Sequence, residues 1–402
     1  MMVDLGIVMP VYKQKPEFLQ AAIQSILKQD FRAFQMIIVI DGAPEMEAQV
    51  RQLVQGDFRV QILMHDRNQG VAQALNTGFR QLFRTRGIEY LTWVSSDNVY
   101  YPSFLRTLRN TLIKGPEELG LVYSSFQSID NDNKPLNNES QLAALRQYQA
   151  MPKEKLLDAC IVGVSFMYKS RYARMIDGYE LVPVEDYDYW LRLTEHCEMK
   201  YVPVELMDYR VNSTFSVSAG LGSVDEHRRW RYTYHLARHK ARSRRGIAPV
   251  LTVLYPLAQA SAAAANRIEN LYEQTFSNYV CYVLDLSPGR EVTSLLSTIS
   301  HPSTDFKRFA AVDEASAIMY AAQMIQTPYT LVLGSRLFAE PTDVDILIAQ
   351  MNKAGGEVCS AYYNDTHTDV SYRAAGSPLP NLNLRNELFR TSSLNELFKL
   401  HG

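Results

Sequence analysis

The sequence predicts an α/β protein with a mixed, mostly parallel sheet flanked by helices in its N-terminal half, then a helical linker and a second, degenerate α/β domain. Three observations predict it. Short apolar runs alternate with helix-length amphipathic segments through the first hundred residues, polar or glycine clusters follow several of those runs directly, and after Gly246 the pattern begins again. At 402 residues the chain exceeds what one hydrophobic core usually organises.

The elements follow in order. Leu5 to Val11 is a short apolar run and reads as a buried strand; Glu17 to Lys28 has the spacing of a helix; Met36 to Ile40 and Val60 to Met64 read as further strands. Val71 to Phe83 reads as a helix, followed by the strand Tyr90 to Val94. Strands separated by helix-length segments predict βαβ units and a parallel sheet. Ligands of such sheets sit beyond the carboxyl ends of the strands, so chemistry is expected at Asp41-Gly42, at Arg67-Asn68-Gln69-Gly70 and at Ser95-Ser96-Asp97-Asn98.

Residues 225–245 hold eight arginines and lysines interleaved with Trp230, Tyr232, Tyr234 and Leu236. They read either as a solvated helix joining two domains or as an amphipathic helix that touches an anionic membrane surface peripherally. Beyond it, Tyr255-Pro256-Leu257 matches Met9-Pro10-Val11, and Glu273-Gln274-Thr275-Phe276 matches Lys28-Gln29-Asp30-Phe31. Tyr329 to Arg336 with Pro341 lies over Tyr90 to Asp97 with Pro102. This is an internal repeat in which the polar positions do not survive, since Arg336 stands where Asp97 stands. The expected domains are therefore 1–222, a basic helical linker at 223–248, and a degenerate copy at 249–402.

A net charge of −2, with 47% hydrophobic and 21% charged residues, is that of an ordinary globular protein and gives no reason to expect nucleic acid as partner. The four cysteines, Cys160, Cys197, Cys281 and Cys359, form no C-x-x-C pair, which argues against a zinc site or disulfide framework and for a reducing cytoplasm. No stretch reaches the roughly 18 apolar residues of a membrane span, and no signal peptide is expected. Membrane contact at the inner face would then be peripheral, through 225–245.

Group transfer at such a rim needs a carboxylate to hold a cation, a base for a hydroxyl, and a ligand pocket. Asp97, at the end of a strand, suits Mg2+ or Mn2+, which take oxygen ligands; read alone, it serves equally as the N-cap of a helix from Tyr101 to Leu112. Arg67-Asn68-Gln69-Gly70-Val71-Ala72-Gln73-Ala74-Leu75-Asn76-Thr77-Gly78 fits every fixed position of R-N-x-G-x-x-x-A-x-N-x-G. A turn before a helix is its plainer reading. In Glu185-Asp186-Tyr187-Asp188-Tyr189-Trp190-Leu191-Arg192 an acidic first turn opens a helix, which a helix cap would also explain.

Taken together these motifs resemble the family 2 glycosyltransferases of the GT-A fold, from about Leu5 to Ser218. The resemblance implies that Pro10, Val11 and Tyr12 place the nucleotide base, with Asp41 contacting it where Ile40 replaces the family's first acid. It implies that Arg67, Asn68, Gly70 and Ser96 bind the nucleotide sugar. Asp97 would bind nucleotide sugar and metal, in a D-x-D motif whose first acid is Ser95. Asp186 would be the base, with Glu185, Gly163 and Trp190 in the donor and acceptor pocket. Tyr209-Arg210-Val211-Asn212, running on to Ser218, is similar to the family's Y-R-x-H segment, with Asn212 as a metal ligand in place of histidine. Glu226-His227-Arg228-Arg229-Trp230 departs at its first position from the signature of processive synthases.

The implied activity is inverting transfer of a sugar, most simply from a UDP-sugar with Mn2+ or Mg2+, to a hydroxyl of a glycan, glycopolymer or protein. Two alternatives stand beside it: a non-catalytic nucleotide-sugar-binding scaffold, and a nucleotidyltransferase, against which Val11-Tyr12-Lys13-Gln14-Lys15 lacks the expected glycines. The second domain is a candidate for homo-oligomer contact or for holding a large acceptor.

Overall fold

The computed structural model describes residues 3–213, 222–378, 381–382 and 385–401. They fall into two compact units, Met1–Thr233 and Tyr234–Gly402, each with its own sheet.

The first unit runs β1 (Leu5–Val11), α1 (Pro16–Leu27), β2 (Phe34–Asp41), α2 (Glu47–Leu53), β3 (Val60–His65), α3 (Val71–Arg84), β4 (Tyr90–Trp93), β5 (Val99–Tyr100) and α4 (Phe104–Lys114). It continues through β6 (Leu119–Ile129), α5 (Glu139–Gln149), β7 (Phe166–Lys169), α6 (Ser170–Ala173), α7 (Glu185–Leu193) and β8 (Glu198–Arg210) into α8 (Val224–Arg244). Its eight strands lie in the order β3-β2-β1-β4-β7-β6-β8-β5. The first four are mutually parallel, and β7 runs antiparallel between β4 and β6. Leu5, Ile7, Val8, Met9 and Val11 are all fully buried, as a strand covered on both faces requires. On one face α3 lies so close that a side-chain carbon at Gly78 would stand 2.4 Å from Val8 Cγ1; only glycine permits that approach.

Register places the functional loops together. Val8 pairs with Ile37 of β2 and with Trp93 of β4, and Asp41 pairs with His65 of β3. The segments following β1, β2, β3 and β4 therefore emerge along one rim of the sheet.

The second unit contains β9 (Leu251–Leu257), α9 (Ala262–Tyr272), β10 (Tyr279–Asp285), α10 (Glu291–Leu296), β11 (Thr304–Arg308), α11 (Glu314–Ala322), β12 (Tyr329–Val332) and α12 (Asp343–Lys353). After them come β13 (Val358–Tyr363), β14 (Val370–Ala374), β15 (Glu387–Arg390) and α13 (Thr391–His401). The order β11-β10-β9-β12-β15-β13-β14 reproduces the first sheet over its four parallel strands and the antiparallel strand beside them. The repeat extends to individual hydrogen bonds. Fully buried Gln29 donates to Tyr101 O at 2.7 Å and accepts from Leu105 N at 3.0 Å; Gln274 donates to Glu340 O at 3.0 Å and accepts from Val344 N at 3.1 Å. In each unit one glutamine thus fastens the end of the first helix to the start of the helix after the fourth strand.

The basic segment differs from both sequence readings. In α8, Arg231, Arg238 and Arg242 are buried along with Ala237 and Ala241. Arg238 lies 3.9 Å over the Tyr234 ring, and Arg242 donates to Ser277 O. A helix that buries several of its own cations presents neither a fully solvated surface nor a clean apolar stripe. Among the described residues no helix is long and apolar enough to cross a membrane.

Candidate active site

A cleft of about 500 Å³ opens at the rim of the first sheet, walled by Pro10, Val11 and Tyr12 at the end of β1, Asp41 at the end of β2, Asn68 and Gly70 before α3, and Trp93 to Asn98 at and beyond the end of β4, Val94 excepted. Glu185 and Asp186 at the start of α7 complete it with Val164, Pro183, Tyr209 and Arg210. Of the residues expected from the sequence, Pro10, Val11, Tyr12, Asp41, Asn68, Gly70, Ser96, Asp97, Glu185 and Asp186 line this one space.

Four do not. Arg67 is exposed on the loop, outside the wall. Gly163 has its Cα side filled by Gln149 and Phe126, and its neighbour Val164 forms the wall instead. Trp190 is fully buried, edge-on to Phe166 at 4.4 Å, because one turn beyond Asp186 the same helix face has already entered the core. Asn212 is exposed with φ of 54° and is absent from the wall, so the metal ligand expected there is not presented to the cleft. Residues 214–218 of that motif lie outside the described residues.

Asp41 is 3% exposed and its carboxylate is engaged by protein. Oδ1 accepts from Gln69 N at 2.9 Å and meets His65 Nδ1 at 2.7 Å, and Oδ2 accepts from Gly70 N at 2.8 Å. His65 Nε2 in turn meets Thr77 Oγ1 at 3.0 Å. Gly42 follows at φ of 65°, where a side chain would stand 2.0 Å from Asn68 N. Asp41 is thus a clamp on the loop that carries Asn68 and Gly70, a role the motif alone does not reveal.

Asp97 is not the cap of α4: that helix starts at Phe104 behind Ser103. Its Oδ1 accepts from Ser95 Oγ and its Oδ2 from Ser213 Oγ, both at 2.6 Å. Behind it Arg210 is 1% exposed, donating to Asp97 O, Asp130 O and Asn133 Oδ1 with its guanidinium 3.9 Å over Phe18. Burial pulls the Arg210 pKa down, and its donors tie the β4 loop to the turn after β6. Asn98 Oδ1 accepts from Arg210 N, so the amide at that position is turned to structure as well.

The α7 pair is different. Glu185 and Asp186 occupy the first turn behind Val184, which makes no side-chain cap, and the buried Glu185 Oε2 and Asp186 Oδ1 have no hydrogen-bond partner. Burial, and then the adjacent Glu185 charge, push the Asp186 pKa well above the usual carboxylate range; burial raises Glu185 too. The charges of Asp97 and Asp186 both act on the buried Tyr100 phenol, whose oxygen accepts from Ser95 N at 2.9 Å. A carboxylate raised this way is suited to take a proton near neutral pH.

Asp97 with the Ser95 and Ser213 hydroxyls offers hard oxygens that fit a divalent cation, but among the described residues no three His, Cys, Asp or Glu side chains gather to hold one. The set suits a cation that takes its remaining ligands from a diphosphate and water.

Residues 6–176 match the family model described as Glycosyl transferase family 2. A Rickettsia bellii protein described as an uncharacterized glycosyltransferase is 26% identical over 219 residues, covering 52% of this chain and 30% of its own length; the chain therefore spans under a third of that relative. Among solved structures, Staphylococcus aureus TarS 1-349 in complex with UDP-GlcNAc aligns with a TM-score of 0.44 at 11% identity, covering 60% of this chain and 87% of its own. A mannosyltransferase from Pyrobaculum calidifontis, in complex with GDP-Man and Mn2+, aligns with a TM-score of 0.44 at 15% identity, covering 61% and 65%.

Proposed function

From the match of residues 6–176 to the Glycosyl transferase family 2 model, we propose that the chain transfers a sugar from a nucleoside diphosphate donor, a UDP-sugar, with inversion, to a hydroxyl of a glycan, glycopolymer or protein. The observation that carries this reading is the pair of buried, unpartnered carboxylate oxygens of Glu185 and Asp186 in the same cleft as Asp97 and Gly70. Such groups are costly to bury and are complementary to hydroxyl donors of a substrate.

Asp186 takes the proton of the acceptor hydroxyl. The acceptor oxygen bonds to the anomeric carbon from the face opposite the diphosphate, and the bond to the diphosphate breaks with its electron pair going to the phosphate oxygen. Asp97, with Ser95 and Ser213 against it, would hold Mn2+ or Mg2+, and a cation there supplies charge neutralisation to the leaving group. Pro10 to Tyr12 and the Asn68–Gly70 loop receive the nucleotide. The second unit, in this reading, holds a large acceptor or a second copy of the chain.

Release of nucleoside diphosphate from a panel of UDP-sugars with Mn2+ or Mg2+ tests the proposal. We expect slow, metal-stimulated release from one of them, lost in Asp97→Ala and Asp186→Asn. If no nucleotide sugar is bound or hydrolysed with either metal, the scaffold alternative replaces it.

A further inference from the structure

Trp93 is the last residue of β4 and lines the cleft. Its ring lies edge-on to Phe166 of β7 at 5.8 Å, and Phe166 in turn meets Trp190 of α7 at 4.4 Å. A continuous aromatic ladder thus joins the end of β4 to the helix that begins with Glu185 and Asp186. The indole Nε1 is buried without a partner, and so is Asp186 Oδ1, although the indole N–H lies beside that carboxyl and favours its charged form. Two buried, complementary and unjoined groups in one cleft are the arrangement expected of a hydrogen bond that tightens when substrate enters, as free enzymes often hold such pairs slightly apart.

We propose that Trp93 is a positioning residue for the reaction: once a hydroxyl occupies the site, its indole N–H donates to the Asp186 carboxylate and fixes the orientation of the oxygen that removes the proton. This rests on Asp186 being the base. The donor is well chosen for the task. Indole is a donor only and does not titrate, so it cannot exchange a proton with the carboxylate it holds. The ladder through Phe166 keeps its ring in place, and Glu185, the nearest charge, opposes it by repelling the ionised form of Asp186. The Asp186 charge in turn acts on the phenols of Tyr100 and Tyr179, both buried and raised above their ordinary range. Lys13, Asp97 and Arg210 share the cleft wall.

The test uses Trp93→Phe, which keeps a ring against Phe166 and lacks the N–H, and a second protein with β-(3-benzothienyl)alanine at position 93, which keeps the indole shape without the donor. The rate of nucleoside diphosphate release from the best of UDP-glucose, UDP-galactose and UDP-N-acetylglucosamine is followed from pH 5 to 10. Loss of a donor to the anion raises the pKa of the base. The acid limb of the profile is therefore expected to move up by about one pH unit, giving a roughly tenfold loss on that limb that disappears at high pH. UDP affinity, measured by calorimetry, should not change.

A loss equal at every pH, or an unmoved profile in both proteins, overturns the proposal. Asp186→Asn separates the two ways of failing. If that substitution leaves the rate intact, the base assignment falls and the Trp93 role with it. If it abolishes the rate while the Trp93 proteins keep the wild-type profile, only the Trp93 role falls.

Discussion

Substituting Asp41 by asparagine separates two roles that one carboxylate could play, contact with the nucleotide base and organisation of the loop before α3. In the structure Asp41 Oδ1 and Oδ2 accept from Gln69 N and Gly70 N at 2.9 and 2.8 Å, with His65 Nδ1 at 2.7 Å. Asparagine keeps one acceptor oxygen and sets an NH2 group against one of these donors, so one charge-assisted hydrogen bond to a part-buried backbone N–H is lost. A hydrogen bond to a charged group contributes about 1.5–3 kcal/mol, so the expected cost is about 2 kcal/mol. That energy falls on local opening of residues 66–70, whose amides should exchange with deuterium on the order of thirtyfold faster in the protein free of nucleotide. Hydrogen exchange read by mass spectrometry or NMR at Gln69 and Gly70 measures this, with UDP affinity recorded in parallel. Wild-type exchange in the free Asp41→Asn protein together with weakened UDP binding would refute the clamp and return Asp41 to the base.

Further outcomes follow from the same chemistry. Asp186 is raised well above the ordinary carboxylate range by burial and by Glu185, so the folded state binds its proton more tightly than the unfolded chain and stability is lost as pH rises from about 4 through the folded pKa; Asp186→Asn should raise the apparent melting temperature more at pH 8 than at pH 5 while abolishing transfer. Gln274→Ala leaves Glu340 O and Val344 N without their partner and should destabilise the second unit by roughly 1–3 kcal/mol, seen by calorimetry as a shift in one transition with donor hydrolysis unchanged. Burial pushes the Cys197 and Cys281 thiols up to about 12 and raises Cys359, so among the four cysteines Cys160, the least buried, should alkylate first in the native protein at pH 8, as peptide mapping after iodoacetamide will report.

How much could be read from the chain depends on what each signal encodes. The strands of the first unit were legible because central parallel strands are continuous apolar runs, and Leu5–Val11 and Phe34–Asp41 stand where the runs stand. The repeat was legible because Gln29 and Gln274 are fixed by the same backbone partners, so neither position was free to change. The site was legible where a motif fixes backbone, as at Asn68 and Gly70, and less so where side-chain direction decides. Trp190 follows Asp186 by one helical turn and lies in the core, and Asn212 is turned by a positive φ. The clamp on Asp41 escaped notice because His65 is remote in sequence and ordinary in composition, and the burial of Arg231, Arg238 and Arg242 because a run of cations looks the same whether its stems are covered or not.

The second sheet shows what became of the duplicated mouth. At the place of Ser95 stands Gly334, where a side-chain carbon would lie 2.5 Å from Arg385 O; Asn386 binds Gly334 N and Arg336 O; and the remaining space beside Arg336 and Arg385 is about 10 Å³, room for roughly one water. The duplicate is sealed by its own main chain. Returning aspartate to position 336 would therefore not revive a donor site, because the obstruction is the backbone that leads into β15, and clearing it would unpair a strand of the sheet itself.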